Sequence, residues 1–209
     1  VRRLLSAGEV VERMFPERIE TDRLVFDALT HDNVDLFEFY GHCSTNAPHV
    51  DEVTEHLTWE PHRTPKATKD FVDARETARS DAEGSEYVVR PKEGEDGAGE
   101  IAGATGIDVD WDRRTATFGV WLRKRFWGRG YSGERAAPLL ELAFDHLDLE
   151  VVAVEHLDGN GRSRRAIEKY VERFGGQYDC RLRNHVPMGD GVDDVRRYTV
   201  TREQWRANR

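Results

Sequence analysis

Cysteine and lysine are scarce in this sequence. The only cysteines, Cys43 and Cys180, stand far apart in 209 residues, and neither belongs to a paired metal or redox motif. That usage excludes a disulfide scaffold and fits a reduced, cytoplasmic compartment. No apolar run approaches the roughly 18 residues of a membrane span. The opening Val1-Arg2-Arg3-Leu4-Leu5 carries basic residues, but Glu9 and Glu12 interrupt any apolar stretch, so no signal peptide is expected. Five lysines accompany 26 arginines, and 40 acidic residues outnumber the 31 basic ones for a net charge of −9. Such a surface repels nucleic-acid phosphates and anionic lipid, so neither is an expected partner. Acid excess with little lysine reads as salt adaptation, in which salt screens the self-repulsion.

The chain is long enough for one domain with a sizeable core. That domain is read over residues 15–209, after an N-terminal extension at 1–14. Residues 18–29 alternate as a strand, with Thr21-Asp22 a turn or bulge within it. Residues 32–40 have helical spacing behind Asp32 as N-cap, 41–65 form a loop, and 65–82 form a helix. Strands are expected at 86–90, 100–110 and 115–122, the last two joined as a hairpin. A helix then runs to Leu147, delayed or kinked by Pro138. A strand at 151–157, a helix through 163–174 and a closing pair at 176–183 and 195–201 complete the sheet, before a last helical turn at 201–205. Local pairing followed by strand-helix-strand-helix gives an α+β fold with a mixed sheet.

Residues 125–133, Arg-Phe-Trp-Gly-Arg-Gly-Tyr-Ser-Gly, lie between a strand and a helix. A helix start offers free N–H groups and partial positive charge, and glycines allow close approach of a phosphate. Arg125 and Arg129 add fixed charge. Gly128, Gly130 and Gly133 also spell the dinucleotide pattern G-x-G-x-x-G. That pattern belongs to doubly wound parallel sheets, and the strands before this loop read as hairpins. On these residues alone the loop holds coenzyme A, a dinucleotide or no ligand.

Further blocks add to the loop. They are Ile19-Glu20-Thr21-Asp22-Arg23-Leu24, Phe118-Gly119-Val120-Trp121-Leu122, Asn160-Gly161-Arg162-Ser163 and Thr201-Arg202-Glu203-Gln204-Trp205. With Arg125-x-x-Gly128-x-Gly130, they resemble the GNAT superfamily of acyl-CoA N-acyltransferases, in its RimJ/RimL-like branch, over residues 15–205. The resemblance implies a mostly antiparallel sheet with one splayed parallel strand pair and flanking helices. It implies acetyl-CoA as cosubstrate and an amine acceptor, a peptide N-terminus or a small amine. A homodimer is compatible with it. Val120, Trp121 and Leu122 would bond the pantetheine arm, and Asn160 would bond it from the facing strand. Gly128, Arg129, Gly130, Tyr131, Ser132 and Gly133 would hold the pyrophosphate, with Arg125 opening the motif.

Acetyl transfer needs a neutral amine, a donor for the oxyanion and an acid for the leaving thiolate. Relatives carry a Glu two residues before the strand glycine, where this chain has Thr117. Glu155 on the facing strand is the substitute base; His156 beside it points to the other face. Ser163 is the preferred acid for the thiolate, with Tyr170 as the competitor about two turns along the same helix face. Ser163 also reads as a helix cap, Tyr170 as a core aromatic, and Asn160 as a turn residue. His31, His42, Cys43, His49, His56 and His62 crowd the acceptor loop, in spacings that fit no common zinc pattern. No metal is expected, and Trp59 with these histidines is expected to meet the acceptor.

Overall fold

A computed structural model describes residues 14–209. The extension read over 1–14 lies outside them except for Met14, which packs on the core. One sheet has the order β1-β2-β3-β4-β5-β6-β8-β7. Its strands are β1 (Arg18–Glu20), β2 (Leu24–Ala28), β3 (Gly84–Pro91), β4 (Gly103–Asp110), β5 (Thr115–Leu122), β6 (Val151–Leu157), β7 (Gln177–Met188) and β8 (Gly191–Thr201). Only β5 and β6 run parallel; every other neighbouring pair is antiparallel. This is the α+β fold expected from the sequence.

The parallel ladder runs only from Thr115↔Val151 to Phe118↔Val154. Both strands continue, to Leu122 and Leu157, so they part beyond Phe118. β4 and β8 keep the outer edges of the two strands paired. The gap is therefore built into the sheet.

The helices are α1 (Leu36–Cys43), α2 (Val50–Thr54), α3 (Pro65–Ser80), α4 (Tyr131–Glu134), α5 (Ala136–Glu141), α6 (Gly161–Arg173) and α7 (Arg202–Asn208). Side chains alternate across the strands and build two cores. One contains Tyr87, Phe118, Leu139, Phe144, Tyr170 and Trp205. The other contains Phe39, Val72, Val88, Ala104 and Trp121, with Trp59 and Phe71 against it.

Local chemistry sets the helix ends. Thr64 caps α3 with Pro65 in the first turn, and Thr201 with Gln204 forms a capping box on α7. Four expectations change. Helix α1 is capped by Asp35, whose side chain accepts from the Glu38 N–H, so it starts later than Asp32. The strand expected over 18–29 is two strands, because Thr21 turns back and its N–H bonds the Leu24 carbonyl. The loop over 41–65 contains α2, too short to show a period. The closing strands are longer than expected, since both faces of their outer part are open and no hydrophobic alternation marks them. The kink expected at Pro138 is present: α4 ends at Glu134, α5 restarts at Ala136, and a π turn follows at Leu142–His146.

Candidate active site

A cleft of about 1760 Å³ opens where β5 and β6 part. Val120, Trp121 and Leu122 line one side, and Asn160, Ser163 and Tyr170 line the other. Gly128, Arg129, Gly130, Tyr131, Ser132 and Gly133 close one end. Gly128 and Gly130 have φ of 78° and 81°, the left-handed region that glycine enters without steric cost. The loop is braced from the β1–β2 turn. The Glu134 carboxylate accepts from the Thr21 hydroxyl at 2.6 Å and from the Arg23 backbone N–H at 2.9 Å. Arg23 Nη2 donates to the Arg129 carbonyl at 3.1 Å.

Arg125 is placed elsewhere. It bonds Glu100 at 2.8 Å and Asp96 at 3.3 Å and is not part of the cleft wall. Arg129 lines the cleft but is paired with Asp96, and α6 supplies the cleft's cations without an acid partner. Arg162, Arg165, Lys169 and Arg173 line it with no carboxylate partner among the described residues. Elsewhere most arginines are paired with acids, so these unpaired cations mark a place for a polyanion. Arg162 also lies 3.8 Å from the centroid of the Trp127 ring, and the Trp127 indole donates to the Leu122 carbonyl at 2.7 Å. Loop, strand and helix thus meet across the cleft mouth.

Asn160 caps α6, its side chain accepting from the Ser163 N–H at 2.9 Å. The same residue lines the cleft, so the turn reading and the ligand reading share one position. Tyr170 is buried, and its hydroxyl has no hydrogen bond of standard geometry among the described residues. Burial raises its pKa, opposed by the adjacent Arg135 guanidinium. Arg135 is itself fully buried, with Nε and Nη1 unpartnered. Glu155 is held by Arg197 at 2.6 Å and His185 at 3.6 Å, and it lines no part of the cleft. His156 is in the core, stacked on Tyr198.

A second pocket of about 210 Å³ shares Leu57, Val120 and Trp121 with the cleft. Five rings close its wall, each against the next. Phe39 meets Phe71 at 6.3 Å, Phe71 meets His62 at 5.8 Å, and His62 meets Trp59 at 5.9 Å. Trp59 meets Trp121 at 5.5 Å, and Trp121 returns to Phe39 at 6.1 Å. Ring faces attract cations, so a pocket lined by aromatic residues is chemically suited to an ammonium group. The histidines do not gather into one cluster. His31 bonds Asp73 and His49 bonds Glu52, whereas Cys43 and His62 sit together at 3.3 Å in the pocket wall. Burial pushes the Cys43 thiol up to about 11, which leaves no thiolate nucleophile at neutral pH. His31, Asp73 and Glu76 bring ligand atoms within 4.8 Å of one another, but His31 and Asp73 already bond each other at an exposed position.

The pocket also holds one carboxylate, that of Glu86. Desolvation, then the charge of Asp108, raises its pKa to about 8, against the pull of Arg75 and Arg135. Sequence reasoning misses Glu86 and the α6 cations. The available signal for Glu86 is the one acid of its strand, placed directly before the apolar run Tyr87-Val88-Val89.

The Acetyltransferase (GNAT) domain family matches residues 23–170. FsC-acetyl coenzyme A-N(2)-transacetylase of Aspergillus fumigatus is 34% identical over 92 residues, 42% of this chain and 37% of that protein. The protein named "Putative ribosomal N-acetyltransferase YdaF" of Bacillus subtilis is 27% identical over 108 residues, 51% of this chain and 57% of that protein. The chain thus spans from about a third to little more than half the length of these two relatives. An acetyltransferase structure from T. thermophilus superposes with a TM-score of 0.71 at 25% identity, covering 92% of this chain and 93% of that one. The family match takes in β2 through most of α6, and with them the glycine loop and both edges of the gap. The chain belongs to the GNAT family of N-acetyltransferases, for which acetyl-CoA is the cosubstrate.

Proposed function

We propose that this chain transfers an acetyl group from acetyl-CoA to a primary amine, and that the acceptor is the α-amine of a peptide N-terminus. The observation that carries this reading is the junction at Leu57, Val120 and Trp121 between the cation-walled cleft and the aromatic pocket. Acetyl-CoA lies with its phosphates against the glycine loop and the α6 cations, its arm along Val120–Leu122 and its thioester in the gap. The amine reaches the thioester from the aromatic side. The β5 backbone beyond Phe118, freed from β6, supplies the N–H for the oxyanion.

Three features support an α-amine over a polyamine. The pocket holds a single carboxylate and so has one place for an ammonium group. The Thr68 hydroxyl lies 2.8 Å from His62 Nδ1. With that hydroxyl donating, Nε2 carries the proton and offers a donor to the carbonyl that follows a peptide's first amine. An α-amine, with a pKa about 8, is also partly neutral at physiological pH, which suits a strand with Thr117 in place of the usual Glu. The name of YdaF points the same way.

The test offers peptides with free and with blocked N-termini, each with one internal Lys, beside polyamines and aminoglycosides. Acetylation of the free peptides alone is expected. Turnover of small amines only, or of Lys in blocked peptides at an equal rate, rejects the peptide acceptor and leaves acetyl transfer standing.

A further inference from the structure

Glu86 does not sit on the strand that carries the thioester. It sits two strands away, and the sheet is modified to let it reach across. Glu86 pairs in register with Gly106 on β4, and Gly106 pairs with Gly119 on β5. Two glycines in a row leave a bare trough across both strands. The Glu86 side chain lies in that trough: a Cβ on Gly106 would stand 2.3 Å from Glu86 Oε2. Gly119 and Val120 line the same pocket as Glu86 and follow Phe118, where the β5–β6 ladder ends. Among the described residues the carboxylate has no hydrogen bond or ion pair. Glu86 is half-buried, and its carboxylate faces the pocket without a partner among the described residues; an arriving ammonium group would supply that partner.

The geometry points to Glu86 as the general base, taking a proton from the acceptor ammonium held inside the aromatic ring. The neutral amine then attacks the thioester carbonyl. The C–N bond forms, the C–S bond breaks, and the second amine proton leaves as the departing thiolate gains one. The products are the acetamide and coenzyme A thiol, and Glu86 returns its proton to solvent. Glu86 thereby stands in for the carboxylate that Thr117 lacks, and it does so from β3. The groups facing it are Asp108 from β4, Arg75 from α3, Arg135 between α4 and α5, and Cys43 and His62 in the pocket wall. Cys43 stays a thiol because burial raises its pKa, and burial lowers that of His62. Glu86 is thus the acid poised to titrate near neutrality.

The inference rests on acetyl transfer and not on which amine is accepted. The experiment measures kcat and KM from pH 6 to 10 with whichever acceptor the wild type turns over, at saturating acetyl-CoA. Glu86→Gln is expected to lower kcat by about 100-fold or more, the usual range for removal of a general base. It should also abolish the rise of kcat with pH, and leave KM for acetyl-CoA unchanged. Gly106→Ala keeps the carboxylate but forces it out of the trough, and is expected to lower kcat in the same direction. A Glu86→Gln enzyme with wild-type kcat overturns the assignment. So does a loss of kcat that keeps the wild-type pH dependence, or a matching loss in Glu155→Gln with Glu86→Gln near wild type. A wild type that acetylates no amine in the panel rejects acetyl transfer itself, a result distinct from any of these.

Discussion

Ser163 stands at the third position of α6, where the helix N-terminus carries partial positive charge. We propose that the thiolate leaves beside it, stabilised by that charge, and takes the hydroxyl proton. Ser163→Ala is therefore expected to lower kcat more than it raises KM, measured with saturating acetyl-CoA. Tyr170 competes for the role, with its buried hydroxyl lining the cleft beside the Arg135 guanidinium. A larger loss in Tyr170→Phe, with Ser163→Ala near wild type, transfers the role to Tyr170. Glu86 makes a second prediction that needs no substrate. Its pKa rises from an ordinary 4.5 to about 8 on folding, so between those values the folded state keeps a proton that the unfolded chain has lost. By linkage the Glu86 contribution to stability is full below 4.5, declines as pH rises, and is gone above about 8. Glu86→Gln has no such proton. Its melting temperature is expected to gain on the wild type across that window and to hold a constant lead above it. Parallel melting curves for the two proteins from pH 5 to 9 would show that Glu86 is an ordinary carboxylate.

In the proposed reading, the glycine loop with α4 is the element on which acetyl-CoA binding turns. Gly130 is the N-cap of α4 with a left-handed backbone, so Gly130→Asp combines backbone strain with a negative charge against the pyrophosphate. Calorimetry is expected to show loss of acetyl-CoA binding, and a variant that binds like the wild type would place the site elsewhere. This element is legible in the sequence because its chemistry is local: glycines, a helix start and a preceding strand are contiguous. The turn at Asn160, which caps α6, and the helix break next to Pro138 are legible for the same reason. Glu86 is not, because its role depends on Gly106 and Gly119, which meet it only through strand register. The aromatic ring is half legible. Trp59 and His62 stand out in the sequence within the loop read as shaping the acceptor pocket, but Phe39, Phe71 and Trp121 come from α1, α3 and β5 and join them only in the fold, while His31 and His49 pair with acids elsewhere. Arg125 misleads, since a motif position does not show that Asp96 and Glu100 will claim its side chain. Glu155 misleads likewise, as Arg197 reaches it from β8.

At the scale of the whole molecule, charges attract at short range and repel at long range. Lys66–Asp70, Arg79–Glu17, Arg114–Asp148 and Arg202–Asp148 pair at 2.6, 2.7, 2.7 and 2.7 Å. Repulsion comes from the net charge of −9 spread over the surface. Salt acts on these differently. The Debye length is about 10 Å at 0.1 M and about 3 Å at 1 M. Pairs in contact lie within even the shorter length and keep much of their attraction, while charges many ångströms apart cease to interact. Exposed pairs also contribute little individually, about 0–1 kcal/mol each, so partial screening of them costs little. The repulsive term is the one that molar salt removes, and the folded chain, being the more compact, carries more of it than the unfolded chain. Replacing most lysine by arginine does not alter this balance, because both carry one charge. The melting temperature is therefore expected to rise steadily from 0.05 to 2 M KCl, with most of the rise below about 1 M, where the Debye length shortens most. KCl is the right probe because chloride and potassium screen without the strong surface exclusion of sulfate, which stabilises any folded protein. A melting temperature flat across that range, or falling with KCl, would mean that the ion pairs govern the electrostatics and that the acidic composition is not an adaptation to salt.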